Sequence, residues 1–328
     1  MRDSDDQLSI YGIGDEENRD LCTASSLLAL MKAPRVGPAT AIKIATDLGS
    51  WNRLSAASDD ELVSVAGKNW QGLRSITGPV APILPDGVRV VSFFDDEFPE
   101  MLKRISNPPA VLWVRGSLPE GSCLAIVGTR NPSPSGKQLA FEAAQCAVES
   151  GWGIVSGLAL GIDTAGHEGA LERGGKTWAY LGCGVDKPTP KKNLALAEQI
   201  IATGGGLLAE VSPGTTTSPQ NLVSRNRLQS GSSLGTVVVQ SGIPSGTLHT
   251  ARFALEQERT LIVATPPEKE RNYPSWEANL SLTDENGMPD IGILKGSKRF
   301  NASMQQKGRV ADRVFANVDD FGAILDRW

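Results

Sequence analysis

The stretch GIVSGLALGIDTAGHEGAL, residues 153–171, gives the strongest indication of the fold of this 328-residue chain. It opens with a short apolar run, passes through a glycine-rich turn and continues in a segment of helical length and composition. A buried strand, a tight turn and a helix in that order are typical of a parallel α/β sheet. The polar residues of the turn, from Ser156 to Asp163, are then expected at the carboxyl end of the strand.

The same alternation recurs on both sides of this stretch. Six apolar runs have strand length and little period-two alternation, which indicates burial on both faces of a sheet: 124–127, 153–156, 177–181, 206–209, 236–239 and 261–264. Segments of helical composition separate them or follow them: 136–149, 163–173, 192–203, 224–231 and 246–258. A strand around 314–316 and a final helix would close the sheet. The predicted fold class is therefore α/β, an extended Rossmann-like doubly wound parallel sheet.

Changes in charge and a proline-rich stretch divide the chain into three parts. Residues 1–22 form an acidic leader, and residues 23–85 form a small helical domain that ends in a proline-marked linker. Within that domain, helix, turn at Pro34–Pro38 and helix are typical of a helix-hairpin-helix or SAM-like module. Such a module could contact a phosphate weakly or serve only structure and protein docking. Residues 86–328 form the Rossmann-like domain, in which the polar segment at about 268–300 is predicted to be a long loop or an insertion.

Composition and charge narrow the function classes. Residues 1–20 hold seven acids against two arginines and supply the whole net charge of −5, whereas the run from Lys295 to Arg313 is basic. No apolar run is long enough to cross a bilayer and no signal peptide is visible, so we expect a cytoplasmic protein. Four separated cysteines and two histidines argue against a zinc site or a disulfide framework, and no cofactor or metal is expected.

Five loops on the predicted ligand edge carry polar residues. The loop Gly128–Gly136 follows the first strand, and its arginine offers a fork of donors for a phosphate. It is not a GxGxxG motif and no acid ends the next strand, which disfavours dinucleotide binding. Asp163 is predicted to cap a helix, with His167 one turn on. This pair could be catalytic, but the absence of a matching serine or cysteine nucleophile favours a structural role.

Later loops add cationic and hydroxyl groups. The triplet Arg225-Asn226-Arg227 is predicted to open one helix, and Ser245-Gly246-Thr247 opens another. Two arginines beside helix N-termini would make a dense phosphate site, in which one arginine reaches the ligand while the other braces a neighbouring loop.

The order of the motifs GxR, SGxAxGID, AxH, GGKT, RNR and SGTLxTA resembles the DNA-processing protein A (DprA, or Smf) family across residues 95–267. The resemblance implies an extended Rossmann domain, a homodimer, single-stranded DNA as ligand without catalysis, and loading of the RecA recombinase onto DNA. Carried onto this sequence, it assigns these DNA or phosphate contacts: Arg130, Ser156, Gly157, Lys176, Arg225, Asn226, Arg227, Ser245, Gly246 and Thr247. We add neighbouring loop and helix residues to the candidate set: Gly128, Ser133, Gly136, Asp163 and His167.

This sequence departs from the family pattern on the same edge. Ser135 stands where the family usually has tyrosine, Leu160 where it has arginine, and Thr189 where it has the tyrosine of a Tyr-Pro pair. Because base stacking and phosphate contacts both contribute affinity, we expect weakened or altered DNA binding. An alternative is therefore a regulatory or antitoxin protein of a phage-defence or toxin-antitoxin system that senses DNA or a nucleotide and binds a cognate toxin. A nucleotide hydrolase is disfavoured. The related lysine-decarboxylase-like hydrolases of nucleoside monophosphates have a PGGxGT loop followed by a glutamate, and this sequence does not match them.

Overall fold

The computed structural model describes residues 20–284 and 310–328 and divides them into two compact units. The smaller unit comprises residues 20–98 and Ser106–Leu112, and the larger comprises Pro99–Ile105 and Trp113–Trp328. The predicted boundary at residue 85 therefore falls inside the smaller unit. The reason is that the Phe93 N–H donates to the Ala110 carbonyl at 2.9 Å, which ties a later segment to the first one.

The smaller unit is mainly helical. Arg35, in the turn between the first two helices, has a φ of 63°. This is the left-handed conformation that glycine favours. Serine or threonine hydroxyls cap three of the helices, which explains where they begin. The elements are α1 (Ala24–Leu30), α2 (Pro38–Leu48), α3 (Trp51–Ala56), α4 (Asp59–Ala66), a 3-10 segment (Gly67–Ser75) and β1 (Val88–Ser92).

The larger unit is built on the predicted sheet. Its strands are β2 (Val111–Gly116, from Trp113 onward), β3 (Cys123–Val127), β4 (Gly153–Ser156), β5 (Thr177–Tyr180), β6 (Gly206–Ala209), β7 (Gly235–Val238), β8 (Thr260–Ala264) and β9 (Arg313–Phe315). They lie in the order β2-β6-β5-β4-β3-β7-β8-β9. All neighbours pair in parallel except β2 and β6. The α/β fold class is confirmed.

Alternate residues of the central strands pack on opposite sides of this sheet. Along β8, Ile262 belongs to a cluster that includes Trp276 and Phe321, whereas Val263 belongs to a cluster with Leu248. Burial on both faces explains why these strands read as continuous apolar runs.

Helices connect the strands, and one begins earlier than its sequence indicates. The Ser218 hydroxyl accepts the Asn221 N–H, and Pro219 occupies the first helical position that proline favours. The prediction that this helix starts at 224 is wrong, and Arg225 lies well inside it. The helices are α5 (Glu100–Lys103), α6 (Pro134–Glu149), α7 (Ile162–Glu172), α8 (Leu194–Ala202), α9 (Pro219–Gly231), α10 (Thr247–Glu256), α11 (Glu277–Thr283) and α12 (Val318–Leu325).

The described part of the polar segment, residues 268–284, contains short helical elements. Two 3-10 turns, Glu268–Glu270 and Pro274–Trp276, lead into α11. The Asn279 side-chain amide donates to the carbonyls of Val239 and Ala264 at 3.0 and 2.9 Å, so a buried polar side chain fastens this segment to the sheet. The acidic leader up to residue 19 and most of the basic run lie outside the described residues.

No helix in the described ranges is both long and apolar enough to cross a membrane.

Candidate functional site

The carboxyl ends of the parallel strands and two neighbouring helices surround a cavity of about 460 Å³. This is the edge at which open α/β sheets place their ligands. The structure brings these predicted site residues to its wall: Gly128, Arg130, Asp163, Arg225, Asn226, Ser245, Gly246 and Thr247.

The guanidinium of Arg225 is the unusual feature of this wall. Its residue is only 7% exposed, and its Nε and Nη1 atoms are buried with no hydrogen-bond partner among the described residues. Burial lowers the pKa of Arg225, the charge of Asp163 opposes this shift, and Arg130 adds to it. Burying a cation without a hydrogen-bonded counter-ion destabilises the folded protein by roughly several kcal/mol. Arg225 is therefore suited to an anionic ligand in the cavity.

Gly157 gives the Arg225 side chain its place. A Cβ atom at position 157 would lie 1.4 Å from Arg225 Nη1 and 2.4 Å from its Cζ, so only glycine leaves room for the guanidinium. The Gly157 N–H donates to Asp163 Oδ2 at 3.1 Å, and the Ala159 N–H donates to the same oxygen at 3.3 Å. Asp163 therefore fastens the loop before its helix. The prediction that it caps the helix is wrong, because Gly161 occupies that position.

We expect Gly157→Ala to displace the Arg225 guanidinium and to weaken binding of an anionic ligand as strongly as loss of the arginine itself. The effect should therefore disappear in an Arg225→Ala background, because contacting residues couple non-additively. Affinities of the two single variants and the double variant measure this coupling. Gly322→Ala, whose Cβ would make only an ordinary contact of 3.5 Å with Cys146 Sγ, is the control for a harmless glycine replacement. Additive losses would show that Gly157 acts independently of Arg225.

His167 is fully buried and is not among the residues lining the cavity. The Thr177 hydroxyl donates to the Ile154 carbonyl at 2.8 Å, so its oxygen accepts the proton on His167 Nδ1 at 2.7 Å. This assigns the Nδ1–H tautomer and leaves Nε2 buried without a hydrogen-bond partner among the described residues. Burial, helped by the charge of Arg225, lowers the pKa of His167 to about 3. The placement favours the structural interpretation of the Asp163–His167 pair.

Arg227 points away from Arg225 and contacts protein groups. Its Nη2 donates to Glu210 Oε1 at 2.6 Å and its Nη1 donates to the Ser224 carbonyl at 3.0 Å. Asn226, between the two arginines, donates from Nδ2 to the Gly246 carbonyl at 3.1 Å and so ties α9 to the loop before α10. The triplet thus combines one cavity-facing arginine with two residues that brace neighbouring loops.

Two further predicted contacts lie apart from the cavity. Lys176 precedes β5 and so lies at the amino edge of the sheet, where it pairs with Glu120. Lys176 therefore lies away from the cavity, and its contact with DNA stays a prediction. Ser156 is fully buried and donates from its hydroxyl to the Ile126 carbonyl at 2.6 Å.

The start of α6 is occupied by internal contacts. The Ser133 hydroxyl accepts the Gly136 N–H at 3.2 Å, and the Ser133 N–H donates to Gln240 Oε1 at 2.9 Å. A Cβ at Gly136 would lie 2.1 Å from that same Gln240 oxygen, which explains the glycine by close packing. Ser133 and Gly136 are both predicted phosphate contacts, but their backbone N–H groups form hydrogen bonds within the protein.

Glu270 is the residue of this region that sequence reasoning missed. Its carboxylate accepts hydrogen bonds from the hydroxyls of Ser133 and Ser135, which lie 137 and 135 positions earlier in the chain. Within a segment that reads as a polar loop, nothing local distinguishes Glu270 from Glu268. Only the folded chain shows which of the two carboxylates is buried.

Fold and site together define a Rossmann-like α/β protein with a cationic cavity at the carboxyl edge of its sheet. The chain belongs to the DNA recombination-mediator protein A family, whose model matches residues 89–286. It is 36% identical over 211 residues to the DNA processing protein DprA of Bacillus subtilis (strain 168), a match that covers 63% of this chain and 71% of that protein. It is 38% identical over 171 residues to the protein Smf of Synechocystis, covering 50% of this chain and 43% of that protein.

Solved structures agree on the fold. The X-ray structure of DNA processing protein A from Streptococcus pneumoniae has a TM-score of 0.65 at 23% identity, over 92% of this chain and 97% of that one. The protein from Helicobacter pylori, described for its unique mode of binding single-stranded DNA, has a TM-score of 0.56 at 23% identity, over 73% of this chain and 96% of that one.

Proposed function

We propose that this protein binds single-stranded DNA by enclosing a backbone phosphate in the cavity, and that it acts in DNA processing and recombination without cutting the strand. The observation that carries the proposal is Arg225, a buried cation that lines the cavity and whose Nε and Nη1 atoms have no hydrogen-bond partner among the described residues. A phosphate in the cavity would supply the negative charge that Asp163 provides only in part.

The surroundings of Arg225 suit a phosphate. Helix α10 begins at Thr247 on the cavity wall, so its N-terminus adds a positive partial charge there. Gly246 has no atom within 4 Å of where its Cβ would lie, which leaves open space for a ligand beside the backbone. Arg130 is exposed and lines the same cavity, so it can meet a neighbouring part of the strand.

Single strands suit this site better than duplexes. A cavity of about 460 Å³ has the size of a small-molecule pocket, so it can take one phosphate group and part of its nucleotide but not a double helix. The DNA-binding mode described for the Helicobacter pylori protein and the family membership support the same ligand.

Family membership also supports the further parts of the proposal. These are a homodimer, loading of a RecA-type recombinase onto the bound strand, and action in the cytoplasm. The regulatory alternative, with a toxin or effector as partner, is favoured only by the altered loop at Ser135, whose hydroxyl contacts Glu270 instead of presenting an aromatic ring.

Competition between a single-stranded oligothymidylate and a duplex of equal length tests the proposal. We expect preference for the single strand and a log–log salt dependence with a slope of about −0.7 per phosphate contacted, because binding releases counter-ions. Fluorescence anisotropy at several salt concentrations measures both. Equal affinity for the duplex, or binding insensitive to salt, would contradict the proposal. Strand cleavage by the purified protein with magnesium would contradict its non-catalytic part.

A further inference from the structure

The N-terminus of α6 is the position at which an open α/β sheet offers backbone amides to a phosphate. In this protein the side chain of Glu270, from a segment distant in the sequence, lies at the N-terminus of α6. Glu270 is 5% exposed and belongs to the turn Glu268–Glu270, which follows β8. Its carboxylate meets the side chains of Ser133, the cap of α6, and Ser135, in the first turn.

The contacts of Glu270 are those expected for a bound anion. Oε2 accepts from the Ser133 hydroxyl at 2.7 Å and from Trp276 Nε1 at 2.9 Å, and Oε1 accepts from the Ser135 hydroxyl. Among the described residues, no lysine, arginine or histidine forms an ion pair with this carboxylate. Neutral donors and the positive end of α6, with the charge of the neighbouring Lys269, therefore balance a buried negative charge, as they would balance a phosphate oxygen.

The carboxylate is held in place rather than resting on a loose loop. Trp276, which donates to it, is fully buried in the cluster that includes Ile126 and Phe321. Three residues further, Asn279 accepts the Ser241 N–H at 2.8 Å and donates to two carbonyls of the sheet. Burial raises the pKa of Glu270, but the hydrogen bonds from Ser135, Ser133 and Trp276 outweigh this and hold the pKa below its usual range. The group is therefore a fixed negative charge at neutral pH.

We infer that Glu270 is a specificity-determining residue that takes the place of a ligand phosphate at the start of α6 and so limits the DNA phosphates that this edge of the sheet can bind. The loop Gly128–Arg130, which leads into Ser133, lines the cavity, so the charge of Glu270 also opposes a second phosphate beside the one at Arg225. This inference rests on the proposed function, because it presumes that the neighbouring cavity binds DNA.

Glu270→Gln removes the charge at nearly constant shape and tests the inference in the full-length chain. We expect the affinity for oligothymidylate to rise roughly three- to tenfold and the salt dependence to steepen, by about 0.7 in slope for one added phosphate contact. Glu268→Gln is the matched control, since Glu268 lies in the same turn but is exposed, and it should leave the affinity nearly unchanged. A folded Glu270→Gln chain that binds no more tightly than Glu268→Gln would overturn the inference.

Replacement by alanine gives a second readout that does not involve DNA. Glu270→Ala leaves the hydroxyls and the indole N–H without their acceptor, so a small carboxylate in solution should replace it. We expect sodium formate to raise the melting temperature of Glu270→Ala above its value in equal sodium chloride, and to do so more than for Glu268→Ala. A Glu270→Ala chain that folds and melts no differently in the two salts would overturn the inference.

The two proposals fail in different ways. If oligothymidylate binds normally to the parent chain and is lost with Arg225→Ala, while Glu270→Gln changes nothing, only the role of Glu270 is wrong. If neither the parent chain nor any variant binds the oligonucleotide, the proposed function is wrong and the formate experiment alone decides whether Glu270 fills an anion site.

Discussion

Replacing Arg225 by alanine should weaken binding of single-stranded DNA by about 1.5–3 kcal/mol, or roughly 10- to 150-fold, the range for a charge-assisted hydrogen bond. Unlike replacement of most buried residues, replacement of Arg225 should lower the free energy of unfolding little or not at all. The residue is only 7% exposed, and its Nε and Nη1 have no hydrogen-bond partner among the described residues, so its removal relieves a buried charge that Asp163 offsets only in part. Titration of oligothymidylate by anisotropy and thermal melting of the same sample measure the two quantities.

Two further replacements at this position make the prediction specific. Arg225→Met keeps most of the volume without the charge, so it should bind DNA as weakly as the alanine variant and melt at or above the temperature of the parent chain. Arg225→Lys should recover only part of the affinity, because an ammonium group cannot reproduce the planar fork of the guanidinium. Unchanged affinity in well-folded Arg225→Ala would remove Arg225 from the proposed site.

The arginine two positions further along should behave in the opposite way. Arg227→Ala breaks a buried ion pair, in which Arg227 Nη2 and Glu210 Oε1 are 2.6 Å apart, and leaves the carboxylate without its cation. We expect a loss of about 3 kcal/mol in the free energy of unfolding, at the lower end for buried pairs because the Glu210 side chain keeps 21% of its surface exposed. Denaturant unfolding measures this loss.

Glu210→Gln and the Arg227→Ala, Glu210→Gln double variant complete the cycle. If the pair is the cause, the double variant should lose clearly less stability than the two single losses summed, since the second replacement removes a charge that is already unpaired. An Arg227→Ala chain that is as stable as the parent but fails to bind DNA would reverse the roles assigned to the two arginines.

The sequence alone determined the architecture. The apolar runs needed for a doubly wound sheet are local patterns, and the strands from β3 to β8 begin and end within one residue of their predicted bounds. Glycine-rich turns at the ends of these runs also identified the ligand edge, because parallel strands present their carboxyl ends together. Both inferences depend on neighbours along the chain, which a sequence displays directly.

Only the folded chain shows which polar groups come into contact. The sequence predicted that one of the two arginines reaches the ligand, but only the structure shows that Arg225 lines the cavity and Arg227 pairs with Glu210. The family motif assigned Lys176 to the DNA contacts, and only the structure shows that it is not among the residues of the cavity wall. Glu270 reached the start of α6 through a contact of more than 130 positions, which no local spacing encodes. Hydrogen bonds between distant loops depend on where the packed core holds each backbone, and that is fixed only once the chain has folded.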